Sequence, residues 1–227
     1  MQKAETYRPD EQTLFLVGDN ESPFRKLSTS LSTLFERIEK DNRTLRQNVR
    51  ELEGVNAELK EKYGLDWKVT GIVDMLKGSA HDPNGLDLEK IMQMIADGQS
   101  ISDYQGGGCD WDALKMIDQA EADAMLEVTY TDIKTGQPAT DHIRAALAKG
   151  MSVTTTNKGP TALASQELNE LAAANGARFL FEGTVMAGTP LLNLIRETLA
   201  GSEISEMQGI LNGTTNFILT RMEGGMD

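Results

Sequence analysis

With 227 residues and 39% hydrophobic content, the chain can bury a sizeable core, as one large or two small domains. A formal net charge of −13 argues against nucleic-acid binding, which needs clustered Lys and Arg. The single cysteine, Cys109, leaves no internal disulfide and suits a reducing cytoplasm. The polar stretch Met1 to Gln12 has no apolar signal core, and no run nears the ~18 apolar residues of a membrane span.

Thr13 to Val17 reads as a buried strand ending at Gly18. A dinucleotide-binding domain would follow its first strand with G-x-G-x-x-G. Here the sequence is Gly18-Asp-Asn-Glu-Ser-Pro23, with one glycine and with Asp19 and Glu21 placed to repel a pyrophosphate. From Leu27 to Tyr63 the pattern is helical, with Leu31, Ile38, Leu45, Leu52 and Leu59 in one stripe. Asp41 and Asn48 interrupt the companion register of Leu27, Leu34 and Val55, and Gly54 weakens the helix by about 1 kcal/mol relative to alanine. The stripe fits either a coiled-coil dimerisation arm or an amphipathic helix lying on its own domain. Gly64 is the expected C-terminal stop.

Trp67 to Val73 alternates as a strand and ends at Asp74, where a carboxylate can meet a ribose 2′-OH. Lys77 close by could instead meet a 2′-phosphate, which leaves NAD and NADP both open. Leu86 to Ala96 is a helix begun by Asp87 and stopped near Gly98. Gly106-Gly-Gly108 lacks the Lys-Ser/Thr of a phosphate loop and reads as a flexible link, with Asp110 capping a helix from Trp111 to Asp118.

The second half alternates strand and helix. The strands are Ala124–Thr129, Met151–Thr156 and Ala177–Phe181, and the helices Pro138–Lys149 and Leu163–Asn175. This order gives a parallel sheet with crossover helices, an α/β class in which ligands bind beyond the carboxyl ends of the strands. Thr129, Asn157-Lys158 and Glu182 fall at those ends. Further on, Ile204, Met207 and Ile210-Leu211 read as a short strand stopping at Asn212-Gly213. Phe217, Ile218, Leu219 and Met222 then start a helix whose first turn holds Thr214, Thr215 and Asn216.

Three motifs occur in order: Val153-Thr-Thr-Thr-Asn-Lys-Gly-Pro160, Phe181-Glu-Gly-Thr-Val-Met-Ala-Gly-Thr-Pro190, and Gly209-Ile-Leu-Asn-Gly-Thr-Thr-Asn-Phe-Ile-Leu219. Together they resemble the homoserine dehydrogenase family, and the likeness runs over roughly residues 58–227. The resemblance implies a Rossmann-like parallel sheet followed by the start of an α+β substrate and dimerisation domain. The expected parts are a divergent segment over 1–26, a long amphipathic helix over 27–63, an NAD(P)-binding domain over 64–181, and the beginning of a substrate domain over 182–227.

It further implies Lys158 as the catalytic residue between nicotinamide and substrate, and Thr129 as a second cofactor contact. Asn212, Thr214 and Thr215 would touch the substrate. Glu182 with the backbone carbonyls of Val185, Ala187 and Thr189 would hold a monovalent cation such as Na⁺; the family usually has an aliphatic residue at Thr189. The implied reaction is NAD(P)H-dependent interconversion of L-aspartate 4-semialdehyde and L-homoserine, in threonine and methionine biosynthesis, by a cytoplasmic homodimer with no nucleic-acid or membrane partner. The family's substrate carboxylates and proton-transferring lysine lie beyond the last motif and find no match before Asp227. Weak cofactor binding and impaired turnover are therefore expected. The alternative is a non-catalytic interaction protein, a coiled-coil helix joined to a Rossmann remnant.

Overall fold

A computed structural model describes residues 54–186 and 189–225, together with the backbone of 12–17. The chain divides into two compact units, Met1–Phe181 and Glu182–Asp227. Most of the heptad stripe, the segment Gly18–Pro23, Ala187 and Gly188 lie outside the described residues.

The first unit is built on a seven-stranded sheet. Its strands are β1 (Gln12–Val17), β2 (Lys68–Asp74), β3 (Gly78–His81), β4 (Gly108–Cys109), β5 (Ala124–Glu127), β6 (Ser152–Thr155) and β7 (Phe179–Leu180). They lie in the order β4-β3-β2-β1-β5-β6-β7. β5, β6 and β7 pair in parallel, with helices α4 (Ala139–Ala148) and α5 (Lys158–Ala174) joining them, as the alternating pattern predicts. The other half differs from that expectation. β2, β3 and β4 pair antiparallel, and β1 runs antiparallel to both of its neighbours, β2 and β5. The first strand of a Rossmann sheet would run parallel to them.

Apolar side chains fill both faces. On one face, helix α1 (residues 54–63) and helix α2 (Leu88–Ala96) cover the sheet, and Leu59, Leu65, Trp67, Ile91 and Leu126 share one core. On the other, α3 (Ala113–Gln119), α4 and α5 bring Met116, Ile143, Leu147 and Leu168 against Met125 and Val153. Alternate residues of β5 thus enter opposite cores, as the two-residue period of a strand requires. Leu59 is 1% exposed within its own unit, so the one stripe residue with a described side chain packs on its own sheet. α1 ends as expected at Gly64, whose φ of +66° suits glycine, with the Leu65 N–H donating back to the Leu59 carbonyl at 3.3 Å.

Three local expectations need correction. Helix α3 begins at Ala113 and is capped by Asp112, which accepts from the Lys115 N–H at 2.7 Å; Asp110 lies two residues too early. Helix α5 begins at Lys158 instead of Leu163, and a non-helical Ala164 (φ −137°, ψ 16°) breaks its period, which hid its first turn from the apolar pattern. Gly106-Gly-Gly108 is a packed corner: a Cβ on Gly108 would lie 2.1 Å from the Ser102 carbonyl oxygen, and one on Gly107 2.3 Å from that of His81. Glycine is needed there for close backbone approach, and it lets β4 pair with β3.

Lys149, the C-cap of α4, secures a neighbouring helix. Its Nζ donates to the carbonyls of Ile117, Asp118 and Ala120 at 2.9, 2.6 and 2.8 Å, which closes the C-terminus of α3. Arg144 of α4 reaches Glu167 of α5 through Nε at 2.6 Å.

In the second unit, α6 (Leu191–Asn193) continues into a π turn over Leu194–Thr198, and α7 spans Gly213–Glu223. The expected strand through Ile204–Leu211 is irregular and exposed instead. A strand gains little without a neighbour to take its backbone hydrogen bonds, and none pairs with it among the described residues.

The Gly108 contact yields the first prediction. Gly108→Ala should destabilise the first unit by about 1–3 kcal/mol or more, the usual cost of overpacking. Gly54→Ala, with no described atom within 4 Å of its added Cβ, should be neutral or stabilising. Chemical denaturation of both variants checks this, and equal stabilities would show that the corner yields freely.

Candidate functional site

The carboxyl ends of β5 and β6 lie side by side, because their parallel register pairs Glu127 with Thr155. Glu127 is fully buried in the described structure, a costly place for a carboxylate unless its oxygens are satisfied. They are. Oε1 accepts from the Thr129 N–H at 2.8 Å and from the Thr129 hydroxyl, and Oε2 accepts from the Thr155 hydroxyl at 2.6 Å. Burial pushes the Glu127 carboxyl up from its ordinary value, while the bonds from Thr129 and Thr155 pull it back.

The network continues past the carboxyl ends of these strands. The Thr155 hydroxyl oxygen accepts from the Asn157 N–H at 2.9 Å. The Asn157 side chain donates through Nδ2 to the Thr129 carbonyl at 2.8 Å and to the Thr131 hydroxyl oxygen. Asn157 is the N-cap residue of α5 and Lys158 its first residue, with Lys158 exposed. Gly159 permits this packing, since a Cβ there would come 2.2 Å from Thr131 Cγ2.

Of the residues singled out from sequence, Thr129, Asn157 and Lys158 come together. Thr129 sits two residues past the end of β5 and is buried, with its hydroxyl and N–H both committed to Glu127. Glu127, Thr131, Thr155 and Gly159 were not anticipated. The charged residue within Ala124-Met-Leu-Glu-Val was the available signal, since a strand buried on both faces tolerates a carboxylate only with dedicated partners.

Asp74 ends β2 as expected, but it is 3% exposed and not solvated. Its Oδ1 accepts from the Leu76 and Lys77 N–H groups, each at 2.8 Å, closing the turn into β3. Its Oδ2 is buried and has no hydrogen-bond partner among the described residues.

In the second unit, the Glu182 oxygens accept from the N–H groups of Leu192 and Asn193, each at 2.9 Å. The carboxylate therefore serves the first turn of α6, and each oxygen keeps a further lone pair. The Thr189 carbonyl accepts from the Leu191 N–H at 2.6 Å; Val185 is in the same loop and Ala187 lies outside the described residues. Among the described residues, no three His, Cys, Asp or Glu side chains cluster as metal ligands. Asn212 caps α7, its Oδ1 accepting from the Thr215 N–H at 2.8 Å, and Thr214 and Thr215 lie in the first turn of that helix.

An α/β sheet whose parallel strands end in a polar rim of Thr, Asn and Lys belongs to the Rossmann-like class. Within that class the chain is a relative of the homoserine dehydrogenases. The family model for homoserine dehydrogenase matches residues 190–227. An NAD(+)-dependent homoserine dehydrogenase of Pseudomonas canavaninivorans is 41% identical over 82% of this chain and 52% of its own length. The homoserine dehydrogenase of Methanocaldococcus jannaschii is 42% identical over 73% of the chain and 48% of its own. The chain thus spans about half the length of these relatives. Among solved structures, a putative homoserine dehydrogenase from Archaeoglobus fulgidus aligns with a TM-score of 0.61 at 31% identity, covering 76% of this chain and 49% of its own. A hyperthermophilic archaeal homoserine dehydrogenase in complex with NADPH aligns with a TM-score of 0.61 at 28% identity, covering 78% and 54%.

The upward shift of Glu127 has a definite sign in stability. A folded carboxyl that holds its proton more tightly than the unfolded one contributes most in acid, and that contribution is lost as pH rises from the ordinary value of 4.5 through the raised one. Stability of the wild type relative to Glu127→Gln should therefore fall as pH rises above 4.5 and through the raised folded value. Urea denaturation across that range tests it, and a difference that stays flat or moves the other way would contradict it.

Proposed function

We propose that this chain serves as an NAD(P)-dependent oxidoreductase of the homoserine dehydrogenase type, interconverting L-aspartate 4-semialdehyde and L-homoserine. The observation that carries the reading is the rim at the ends of β5 and β6, where Thr129, Thr131, Asn157 and the exposed Lys158 meet. Its hydroxyl, amide and ammonium groups fit the polar end of a nicotinamide cofactor and a small anionic substrate. The cofactor supplies the hydride when bound. In this reading Lys158 holds the substrate or passes it a proton, and Thr129 and Asn157 shape the wall beside the ring. Asn212, Thr214 and Thr215 contribute to substrate binding from the start of α7. Residues 64–181 are the cofactor-binding part, and 182–227 belong to the substrate part. A homodimer in the cytoplasm accompanies the reading; no helix among the described residues is long and apolar enough to cross a membrane.

Binding is the direct test. NADPH should bind the 227-residue chain weakly, since Gly18–Pro23 offers one glycine to a pyrophosphate. Thr131→Val and Lys158→Ala should each weaken it about tenfold, the worth of one lost polar contact. Calorimetry showing no binding, or unchanged affinity in both variants, would remove this reading.

Glu182 also fits a weak monovalent-cation site, because its oxygens retain lone pairs while capping α6 and hard cations favour oxygen. NaCl should then raise the thermal midpoint of the wild type more than that of Glu182→Gln, with choline chloride as the control. Equal responses in the two proteins would exclude the site.

A further inference from the structure

We propose that Glu127 is a positioning residue which, as a buried carboxylate between the tips of β5 and β6, sets Asn157 to offer its side-chain Oδ1 to an N–H donor of the ligand. The orientation of the Asn157 amide follows from its partners. The Thr129 backbone carbonyl can only accept, so the group facing it at 2.8 Å must be Nδ2. Nδ2 also donates to Thr131, so both amide hydrogens are committed and, among the described residues, Oδ1 is what the side chain has left to offer. Asn157 is part-buried past the carboxyl end of β6, immediately before the exposed Lys158.

Glu127 holds the groups that set this orientation. Through Oε1 it takes both donors of Thr129, which fixes the loop carrying the carbonyl that Nδ2 must meet. Through Oε2 it takes the Thr155 hydroxyl hydrogen, so the Thr155 oxygen faces the Asn157 N–H with a lone pair. One carboxylate thereby ties two neighbouring strand ends to the main chain and side chain of the same asparagine. An acceptor fixed in this way selects a primary amide over a ketone of similar shape, because only the amide can donate. Given the reading above, on which this rests, the amide is the carboxamide of the nicotinamide ring.

The test compares NADPH with its reduced 3-acetylpyridine analogue, which keeps the ring carbonyl and replaces the amide nitrogen by a methyl group. Titrations of the whole chain run to millimolar ligand. The wild type should favour NADPH by about tenfold, the cost of one unmade hydrogen bond. Glu127→Gln should narrow that preference to within about twofold, since its amide cannot accept from all the donors at once. Thr155→Val, which serves if Glu127→Gln does not fold, should narrow it likewise, and Thr155→Ser should restore it. A purely supporting role would weaken both ligands equally and leave their ratio unchanged. A wild type that binds both ligands alike, or variants that keep the tenfold preference, would overturn the inference while leaving the proposed function standing. A wild type that binds neither would overturn the proposed function itself.

Discussion

The sheet depends on a single seam. β1 is the only described strand that joins β4-β3-β2 to β5-β6-β7, pairing from Gln12↔Asp74 to Val17↔Lys68 on one side and from Thr13↔Glu127 to Leu16↔Ala124 on the other. Without it, β2 and β5 would each present an open edge of backbone donors and acceptors inside a covered sheet, a costly arrangement. Because β1 is antiparallel to both, β2 and β5 run parallel to each other, so their carboxyl ends point the same way. The seam thus keeps Asp74 and Glu127 at the same end of the sheet. It does so although β1 runs opposite to the first strand of a Rossmann sheet. Its register with β2 shifts between Phe15 and Leu16, where β2 carries an extra residue, Thr70.

The parallel half of the fold was legible in the sequence because its signals are local. Apolar runs of strand length alternate with helices ended by Gly150 and Gly176, each at positive φ, and these fix β5 to β7 with little ambiguity. Strand direction elsewhere was not legible, since a short run such as Gln12–Val17 carries no mark of which way its neighbours run. β3 was missed because Gly78-Ser-Ala-His81 has almost no apolar content; it forms by pairing with β2 across the Asp74 turn. The packed corner at Gly108 depends on Ser102 and His81, which only the folded chain brings near.

The rim divides in the same way. Asn157 and Lys158 stand out as a polar pair directly after a strand, and their place at the sheet's carboxyl end follows from topology. Glu127 was harder to read, because its role rests on partners 2, 28 and 30 positions away along the chain: Thr129, Thr155 and, through the network, Asn157. The second unit repeats the lesson in reverse. Asn212 as the cap of α7 was readable from the turn and the apolar period after it, whereas Ile204–Leu211 has a strand's composition without a described strand's pairing. Composition proposes a strand, and a neighbour has to complete it.

Lys149 has a chemical consequence beyond holding α3 in place. In acylation the amine nitrogen attacks the reagent's carbonyl with a free lone pair, and this nitrogen has three N–H bonds directed at three carbonyls. Although the residue is exposed, a reagent must first detach it from the end of α3. Acylation at this position is therefore coupled to the loss of that helix cap, and a covalent mark on Lys149 would record how often α3 frays.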